Sequence, residues 1–373
     1  MREGGHQQAL TAIHQLVAGF APGDAISNEV VTIQSVFRAW GCPSDIFCEA
    51  RRIHSSLRKE ARDVRQYVLE ARPEDVMLLH LSIGSMINEI FPTLPCRKAI
   101  LYHNVTPSHY FQVVQPKIAY DLAKGAKQVQ ALAGTAAVNM ADSRFNADEL
   151  SRVGYRDVKV LPMLLDPAML GAPPDRRIVR SLDDGLVNVL VVGRCAPNKR
   201  LEDALGVFSC FQKSVEPNSR FIHVGSYAGV ERYYRFLVSM SRDMRLRDVR
   251  FTGSVPQAEL NGYYKAADLL LCMSEHEGVC VPLLEGMWHG VPVVAHAAAA
   301  VPETLDGAGC LIRTGDYRLV AEMMGQLVRN AALRKAVVEE QRRRVKRHMD
   351  RDLASELRAH LEPLLNPDGG NPG

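Results

Sequence analysis

The stretch VNVLVVGRCAPNKRLEDALGVFSCFQKSV, residues 187–215, joins a strand to a helix through a polar loop. Its first six residues, Val187–Val192, are rich in valine, as expected of a buried strand. Gly193 and Pro197 then mark a loop, and apolar residues return at helical spacing over Leu201–Val215. The stretch therefore predicts a β-strand that leads directly into an α-helix.

The same alternation continues towards the C-terminus. The patterns predict strands at Arg220–Val224, Val249–Thr252, Leu269–Met273, Val291–Ala295 and Gly309–Leu311. They predict helices at Val230–Ser241 and from Pro282 to Trp288, and a charged helical tail from Tyr317 to about Leu365. Because strands alternate with helices, we expect a parallel sheet with right-handed crossovers.

The first half of the chain repeats this pattern. Strands are predicted at His14–Phe20, Asp45–Cys48, Val76–Ser82, Lys98–His103, Ala137–Asp142 and Val158–Met163. Helices are predicted at Ala25 to about Trp40, Arg51–Ala71, Pro116–Leu132 and Asn146–Val153. The sequence thus indicates an α/β protein built from two Rossmann-like units.

A length of 373 residues also favours two domains. Residues 166–185 are rich in proline, aspartate and glycine and lack apolar periodicity, which is typical of a linker. We predict an N-terminal domain at 1–166, a linker at 167–186 and a C-terminal domain at 187–345. Residues 346–373 are predicted to form a C-terminal helix and a flexible tail that packs back on the N-terminal domain. The two domains would face a central cleft at the carboxyl ends of their strands.

The composition excludes several classes of protein. Apolar residues make up 47% and charged residues 23%, and the formal net charge of +3 gives no indication of a nucleic-acid partner. No apolar run approaches the roughly 20 residues that span a bilayer. Met1–Gly5 is not followed by a signal-peptide pattern. The eight cysteines are scattered, without a Cys-x-x-Cys pair, so we expect reduced, buried thiols in a cytoplasmic protein.

The most specific motif runs from Glu277 to Glu285, with the sequence EGVCVPLLE. Its two glutamates flank a turn that opens a helix at Pro282, a residue tolerated in a first helical turn. Gly278 gives the backbone freedom beside the first glutamate. A carboxylate can accept two hydrogen bonds from a ribose diol, and free N–H groups at a helix start suit phosphate oxygens.

Together with Ser274 and with GVPVVA at residues 290–295, this motif resembles the signature of the retaining family 4 glycosyltransferases, also called group 1. The resemblance implies the GT-B fold. It also implies transfer of a hexose from a UDP- or GDP-sugar to a hydroxyl acceptor, with retention of configuration. In such proteins the second glutamate binds the donor ribose and the first lies against the transferred sugar. The match gives those roles to Glu285 and Glu277.

The segment Gly193-Arg194 through Lys199-Arg200 resembles a second family motif, with Arg200 where glycine is usual. Negative charge builds on the leaving diphosphate as the glycosidic bond breaks, and a fixed arginine and lysine stabilise it. The match therefore assigns Arg194 and Lys199 to the diphosphate, beside the Gly193 backbone. Gly278 and Val279 are further donor-binding candidates in the first motif.

Weaker matches surround these motifs. Backbone groups near Ser254 and Val255 are candidates for contacting the nucleobase, although an ordinary strand–helix connection would look the same. Glu303 lies in a loop that resembles the one near the donor sugar, or it caps a helix. In the first half, Gly23 is a candidate for approaching the donor phosphate, and Asp24 for facing the acceptor.

Three more candidates in the first half follow strands or lie within them. His103 matches the position where family members often have a histidine that reaches the transferred sugar. The catalytic candidates are therefore Glu277, Arg194, Lys199 and His103. His80 is a candidate for acceptor binding, and Arg144 for assisting the phosphate. A lone histidine at a strand end can equally be structural.

The resemblance also implies which cofactors, substrates and partners the protein requires. No Asp-x-Asp motif suggests a divalent metal, so we expect metal-independent catalysis with no cofactor. The expected partners are a nucleotide-sugar donor and a carbohydrate or lipid-linked acceptor, in bacterial polysaccharide or glycoconjugate synthesis. The basic run Arg342–Arg347 is either a solvated helix face or a contact with anionic membrane.

Two other functions remain open at this point. One is a different enzyme on the same scaffold, a nucleotide-sugar epimerase or a sugar phosphorylase. The other is a non-catalytic nucleotide-sugar-binding subunit that supports a partner. The two glutamates together with Arg194 and Lys199 argue against both. They disfavour the binding subunit in particular, because a protein that only binds the donor could lose the residues that stabilise charge on the leaving group.

Overall fold

The computed structural model describes residues 11–366, so the predictions for Met1–Gly5 and for the flexible end of the tail lie outside the described residues. The chain divides into two compact units. The first comprises the described residues up to Val105, Ala123–Leu165 and the described residues from Asp352 onward. The second comprises Thr106–Leu122 and Asp166–Arg351.

The first unit contains a seven-stranded parallel sheet with the order β3-β2-β1-β4-β5-β6-β7. The strands are β1 Ile13–Val17, β2 Ile46–Cys48, β3 Ala61–Asp63, β4 Val76–Leu81, β5 Arg97–Tyr102, β6 Val138–Ala141 and β7 Lys159–Val160. All six residues of β4 are buried, as expected of a central strand covered on both faces.

Five helices accompany this sheet in the sequence. They are α1 Ala25–Ala39, α2 Val64–Glu70, α3 Ile87–Ile90, α4 Pro116–Ala131 and α5 Arg144–Arg152. Helix α1 begins where the Asp24 carboxylate accepts a hydrogen bond from the Ser27 backbone N–H, which satisfies one free donor of the first turn. Ile33 and Phe37 of α1 pack in the core with Ile13 and Val76 of the sheet.

The second unit contains a six-stranded parallel sheet with the order β10-β9-β8-β11-β12-β13. The strands are β8 Val187–Val192, β9 Ser219–Val224, β10 Val249–Phe251, β11 Leu269–Cys272, β12 Val293–His296 and β13 Cys310–Ile312. The strand order reverses between β8 and β11. A doubly wound sheet binds its ligands outside the carboxyl ends of the strands at such a switch point.

Nine helices belong to this part of the described chain. They are α6 Pro167–Leu170, α7 Arg176–Leu182, α8 Leu201–Cys210, α9 Glu231–Asp243, α10 Gln257–Ala266, α11 Val281–His289, α12 Val301–Leu305, α13 Tyr317–Arg329 and α14 Ala331–Met349. Helix α8 continues into a π-helical turn at Phe211–Val215, so the helix predicted over Leu201–Val215 is present with a changed hydrogen-bond pattern at its end.

The last helix, α15 Leu353–Leu365, packs on the first sheet. Leu353, Leu357, Leu361 and Leu364 are buried in the same core as the strands of that unit. The boundary expected at residue 346 is wrong, because it falls inside α14, which belongs to the second unit. The chain returns to the first unit at Asp352, where the Asp352 side chain caps α15.

The prediction that residues 167–186 form a linker between the two domains is wrong. Helices α6 and α7 occupy this segment, capped by Asp166 and Asp175. The Asn261 amide of α10 donates hydrogen bonds to the carbonyls of Met169 and Ala172, at 3.1 and 2.9 Å. The segment therefore forms part of the second unit. The predicted N-terminal domain also differs from the first unit, because Thr106–Leu122 groups with the second.

The helix predicted at Arg51–Ala71 is also largely absent. Only its end, Val64–Glu70, is helical, and it follows two short 3₁₀ turns and the strand β3. Strand β3 pairs with β2 at the sheet edge, and Arg62 lies over the Phe47 ring and pairs with Asp45. Sheet pairing thus prevails over the helical pattern of the charged residues. The other predicted strands and helices are confirmed, with shifts of a few residues at their ends.

Candidate active site

The main candidate site lies in the second unit, where the strand order reverses. Strands β8 and β11 are neighbours, with Leu270 of β11 opposite Leu190 of β8. Because the strands are parallel, the loops that follow them emerge at the same edge of the sheet. The segment 193–200 follows β8 and the segment 273–280 follows β11. The two sequence motifs are therefore brought together by the sheet topology.

The first of these loops takes an unusual backbone path. Gly193 has a φ of 138°, and Pro197–Lys199 form a 3₁₀ turn that ends at Arg200 with a φ of 51°. Arg200 thus adopts the left-handed conformation that glycine favours, at the position where glycine is usual in the resembled motif. Its side chain pairs with Asp203 in the first turn of α8, at 2.7 Å. This pairing helps to hold the strained residue in place.

Lys199 and Glu277 form the central contact of the site. The Lys199 Nζ lies 2.6 Å from both carboxylate oxygens of Glu277. The Lys199 side chain is 22% exposed and that of Glu277 is 9% exposed. Burial lowers the pKa of Lys199, but the neighbouring Glu277 carboxylate more than offsets this and holds the pKa above its usual value. Lys199 is therefore a fixed positive charge with limited exposure.

Backbone hydrogen bonds lock the two loops together around this pair. The Glu275 N–H donates to the Asn198 carbonyl at 2.9 Å, and the Asn198 amide donates to the His276 carbonyl at 3.1 Å. The Asn198 side chain is buried, so its hydrogen bond is shielded from water. Sequence reasoning did not single out Asn198. Its place between Pro197 and Lys199 was the only signal for it.

Glu285 lies in the second turn of α11, whose first turn contains Pro282. The Tyr264 hydroxyl donates a hydrogen bond to Glu285 Oε2 at 2.7 Å. Burial raises the pKa of Glu285, and the Tyr264 hydrogen bond partly counters that rise. Tyr264 is itself buried and stacks on His289 of α11. Tyr264 therefore fixes the Glu285 carboxylate, a role that the sequence motif did not reveal.

The loop before α11 is tied to the segment that follows β12. The Ala300 N–H donates to the Glu277 carbonyl at 3.3 Å, and the Thr304 hydroxyl donates to the Val279 carbonyl. Gly278 and Val279 are partly exposed. Glu303 is exposed in the first turn of α12, which agrees with the alternative that it lies at a helix start.

Gly225, directly after β9, is a site residue that sequence reasoning missed. A Cβ atom at this position would lie 1.9 Å from the Gly193 carbonyl oxygen, and the residue has a φ of 156°. Only glycine allows the loops after β8 and β9 to approach this closely. The Gly225 N–H also donates to the Gly253 carbonyl at 3.0 Å. Its position directly after a strand, like that of Gly193, was the signal that could have revealed it.

The remaining donor candidates lie on neighbouring loops. Arg194 is exposed, and its guanidinium donates to the Ala228 carbonyl at 3.4 Å. Val255 is partly exposed in the loop between β10 and α10, with Ser254 exposed beside it. These loops follow β8, β9 and β10, so they emerge at the sheet edge that carries Lys199. The structure thus groups the predicted donor-site residues of the second unit on adjacent loops.

In the first unit, the predicted residues Gly23 and Asp24 lie at the start of α1. Gly23 has a φ of 73°, and no atom lies within 4 Å of where its Cβ would be, so its backbone is open to solvent. Asp24 is exposed, and its Oδ2 accepts hydrogen bonds from the Ser27 N–H and hydroxyl, at 2.9 and 2.8 Å. Asp24 therefore has a structural role as a helix cap.

The predicted histidines lie in a buried hydrogen-bond chain. His80 Nδ1 lies 2.9 Å from His103 Nε2, and His80 Nε2 lies 2.9 Å from the Gln15 side-chain oxygen. On its other side, His103 Nδ1 lies 3.3 Å from Asp142 and 3.6 Å from Glu29. Both nitrogens of each ring therefore have protein partners. The His103 side chain is only 1% exposed, so we revise its expected contact with a sugar to a structural role.

The pKa shifts of the residues in this hydrogen-bond chain are those expected of buried polar groups. Burial lowers the pKa of His103, but the Asp142 hydrogen bond and the Glu29 charge more than offset this, and the pKa lies above its usual value. Burial keeps the pKa of His80 well below its usual value and raises the pKa of Glu29 to about 7. His80 was predicted to contact the acceptor, but both of its ring nitrogens already have protein partners. Arg144 is exposed at the first residue of α5.

Two clusters in the described part of the chain have the spacing of metal ligands, although the sequence predicted none. One is Glu29, His80 and His103, and the other is Cys272, Glu277 and Cys280. In the first cluster the four ring nitrogens are engaged by protein groups. In the second, the Lys199 ammonium already lies on both Glu277 oxygens. Each cluster is thus explained by contacts within the protein.

The remaining features concern thiols and surfaces. The eight cysteines are free; four of them are buried and four are partly exposed, so the expectation of buried thiols holds for half of them. The basic run on α14 is extensively paired: Arg343 with Glu340, Arg344 and Arg347 with Asp306, and Lys346 with Asp350. These pairs favour the solvated helix face over a membrane contact.

Among residues 11–366, no helix has both the length and the apolar character that a membrane span requires.

Comparisons with known proteins show which sequences and folds this chain resembles. Residues 187–330 match the family described as Glycosyl transferases group 1. The O-antigen chain mannosyltransferase B of Escherichia coli is 28% identical over 133 residues, which are 35% of this chain and 34% of that protein. The D-inositol 3-phosphate glycosyltransferase of Corynebacterium jeikeium is 37% identical over 95 residues, which are 25% and 23% of the two chains.

The fold comparison extends over most of the chain. The crystal structure of HepE from Anabaena in complex with UDP and glucose has a TM-score of 0.74 at 15% identity, covering 94% of this chain and 99% of that chain. By its fold, the chain is a GT-B protein. Residues 187–330 are similar to the group 1 glycosyltransferases. The chain spans less than half the length of the curated relatives it matches.

Proposed function

We propose that this protein is a retaining glycosyltransferase that moves a hexose from a UDP- or GDP-sugar to a hydroxyl acceptor. The observation that carries the proposal is the Lys199–Glu277 contact, formed between the loops at the switch point of the second sheet. It unites the two sequence motifs in one place. Glu285 lies eight positions after Glu277, in the helix α11 that begins at Val281.

Lys199 would bind the donor diphosphate. An ammonium group has three N–H donors, so the contacts with the two Glu277 oxygens leave one for a phosphate oxygen. Arg194, on the same loop, would supply a second positive charge. As the glycosidic bond breaks, negative charge grows on the diphosphate, and fixed cations stabilise this transition state more than the bound donor.

The glutamates would fix the rest of the donor. Glu285, oriented by Tyr264, is suited to accept hydrogen bonds from the two hydroxyls of a ribose. Glu277, with its carboxylate anchored by Lys199, would lie against the transferred hexose. Loop residues around Val255 would meet the base.

The transfer step would keep the configuration of the anomeric carbon. The acceptor hydroxyl would attack the anomeric carbon on the face from which the diphosphate leaves, and a diphosphate oxygen would take the hydroxyl proton. The bond from the anomeric carbon to the diphosphate breaks, and the new glycosidic bond forms on that same face. Lys199 and Arg194 would neutralise the leaving group, so we propose that the reaction needs no divalent metal.

The names of two similar proteins support a proposal for the donor and the pathway. HepE was crystallised with UDP and glucose, and the E. coli relative is an O-antigen chain mannosyltransferase. On this basis we propose a UDP- or GDP-hexose donor and an acceptor in bacterial polysaccharide or glycoconjugate synthesis, with the reaction at the inner face of the membrane. The second candidate, a non-catalytic nucleotide-sugar-binding subunit, is disfavoured because the Lys199–Glu277 pair and Arg194 are present together.

The test is incubation of the protein with UDP-, GDP- and ADP-hexoses, with NMR detection of the sugar that is released in slow hydrolysis or transferred. We expect release of nucleoside diphosphate in the presence of EDTA, with the first-formed sugar keeping the anomeric configuration of the donor. Inverted sugar would contradict retention, and an isomerised nucleotide sugar would indicate an epimerase. Turnover that requires inorganic phosphate would indicate a phosphorylase. Nucleotide binding without any turnover would indicate the binding subunit.

A further inference from the structure

Two cysteines lie beside the candidate active site and have no part in the proposed reaction. Cys272 is the last residue of β11, and Cys280 is the residue that precedes α11. Their sulfur atoms are 3.7 Å apart, although the residues are eight positions apart in the sequence. The chain between them carries Glu277. Any change at this pair would therefore act on the loop that holds the catalytic carboxylate.

The backbone at Cys280 is unusual for a residue with a side chain. Its φ is 66° and its ψ is 62°, the left-handed conformation that glycine adopts without cost. A strained conformation of this kind costs of the order of 1–3 kcal/mol and is found most often at functional sites. Glycine would relieve the strain at Cys280, so a thiol at this position calls for an explanation beyond packing.

The two thiols also differ in chemical character. The hydrogen bond with Cys280 lowers the pKa of Cys272, and the Ser274 hydroxyl, 3.3 Å from Cys272 Sγ, acts in the same direction. The pKa of Cys280 is raised well above its usual value, first by that same hydrogen bond and then by burial. Cys272 is partly exposed and Cys280 is buried. This is the arrangement of an accessible attacking thiolate beside a resolving thiol.

We propose that Cys272 and Cys280 form a reversible disulfide that switches off the active site, with a peroxide as the oxidant. The inference rests on the proposed function for the effect on turnover, whereas the disulfide itself can be observed without it. Each sulfur needs only a small displacement to pass from 3.7 Å to the bonding distance of about 2.05 Å.

The chemistry balances with hydrogen peroxide. The Cys272 thiolate attacks one peroxide oxygen, the O–O bond breaks, and the products are a sulfenic acid and hydroxide, which leaves as water. The Cys280 sulfur then attacks the sulfenic sulfur, forming the S–S bond and expelling hydroxide, which takes up the Cys280 proton as a second water. The two thiols lose two electrons and two protons in total, and the peroxide takes up both as it becomes two waters.

The disulfide would alter the site through the loop that it closes. Glu277 lies between the two cysteines, and its carbonyl accepts a hydrogen bond from Ala300. Joining the sulfurs draws the end of β11 towards the start of α11. This moves the Glu277 carboxylate relative to Lys199, which belongs to the other loop. The oxidised protein would lose donor turnover and regain it when a thiol reductant cleaves the disulfide.

The experiment treats the full chain with hydrogen peroxide and maps its peptides without reduction. We expect a cross-linked peptide pair joining Cys272 and Cys280, lighter by two hydrogen atoms than the separate peptides, which disappears with dithiothreitol. Donor turnover should fall and recover in parallel. Cys272→Ser and Cys280→Gly should each retain their own starting turnover after peroxide, and glycine suits the backbone at position 280. Cys310→Ser, at a partly exposed cysteine elsewhere, should respond like the unmodified sequence.

Absence of the cross-linked peptide under conditions that oxidise Cys272 to a sulfinic acid would overturn the inference. A cross-link that forms while turnover stays unchanged would overturn its regulatory part. If the reduced protein turns over no donor at all, the proposed function fails. The cross-link would then remain measurable by peptide mapping and by its effect on the melting temperature of the UDP-bound protein.

Discussion

The Lys199 ammonium lies 2.6 Å from both carboxylate oxygens of Glu277, although the two residues are 78 positions apart in the sequence. The contact exists because β8 and β11 are adjacent parallel strands, so the loops that follow them meet at one edge of the sheet. It brings a fixed cation and a fixed carboxylate to the place where a doubly wound sheet binds its ligand.

Replacing Lys199 with alanine should abolish most of the activity. We expect kcat/KM for the donor to fall on the order of 100-fold to 1000-fold, because the variant lacks a charge that stabilises the leaving diphosphate. The free energy of unfolding should fall by only about 1–3 kcal/mol, from the loss of hydrogen bonds to Glu277. Steady-state kinetics and denaturant titration measure the two effects. Lys213→Ala, at an exposed lysine of the same unit, is the matched control. Near-normal activity in Lys199→Ala would refute the site.

Glu285→Ala should abolish nucleotide binding, and Tyr264→Phe should weaken it without abolishing it. The Tyr264 hydroxyl orients Glu285, and one such hydrogen bond is worth about 1 kcal/mol, which corresponds to a roughly fivefold weaker Kd. Calorimetric titration with the nucleoside diphosphate measures both. Tyr263→Phe is the neighbouring control and should bind normally. Equal Kd values for Tyr264→Phe and Tyr263→Phe would show that Tyr264 does not position the carboxylate.

Gly225→Ala should destabilise the second unit more than alanine at another glycine with positive φ. The new Cβ would meet the Gly193 carbonyl oxygen at 1.9 Å, so the loops after β8 and β9 must move apart. Gly307 also has a positive φ, but no atom lies within 4 Å of where its Cβ would be, so Gly307→Ala serves as the control. We expect an additional loss of about 1–3 kcal/mol in Gly225→Ala, measured by denaturant unfolding. Equal losses in the two variants would contradict the close approach.

The buried Glu29 should give stability a recognisable pH dependence. Burial raises the pKa of Glu29 from 4.5 to about 7, so the folded protein binds a proton more tightly than the unfolded chain does. The resulting stabilisation is fully present below pH 4.5 and is lost as the pH rises through about 7. Glu29→Gln, which cannot ionise, should therefore show a flatter decline of the unfolding free energy over this range.

Denaturant titrations at several pH values test this expectation. Glu60→Gln, at an exposed glutamate, is the control and should decline like the unmodified sequence. His103 has a raised pKa as well and contributes a decline of the same sign. Because the Glu29 charge helps to raise the His103 pKa, Glu29→Gln reduces both contributions, and the comparison measures the Glu29–His103 pair. A decline in Glu29→Gln as steep as in the control would show that Glu29 is ionised throughout.

Much of this arrangement could be predicted from the sequence because it depends on local patterns. Valine-rich runs such as Val187–Val192 define strands, and the spacing of Glu277, Pro282 and Glu285 defines a loop followed by a helix. The placement of Lys199 against Glu277 follows once the order of the strands is known. Family resemblance supplied the expected roles of these residues.

What could not be predicted depends on contacts between distant residues. Strand β3 forms at the edge of the first sheet because β2 offers unpaired backbone groups, although its charged sequence resembles a helix. Gly225 is required only because Gly193 lies against it. The two histidines seemed available for a ligand in the sequence, but Asp142 and Gln15 engage them in the fold.

One error could have been avoided by reading the local signals more closely. Asp166-Pro167 is a capping residue followed by a proline in the first helical turn, and Asp175 is a second cap. Both helix starts lie in the segment that we expected to be a linker. Its high proline and glycine content obscured them.

The most direct test of the central claim is the melting temperature of the protein with UDP, GDP and ADP, each with and without EDTA. The account predicts that one nucleoside diphosphate raises the melting temperature, that EDTA leaves the rise unchanged, and that Lys199→Ala and Glu285→Ala remove it. A rise that depends on a divalent metal would contradict the proposed charge neutralisation by Lys199 and Arg194. No rise with any nucleotide, or a full rise in both variants, would contradict the assignment of this site.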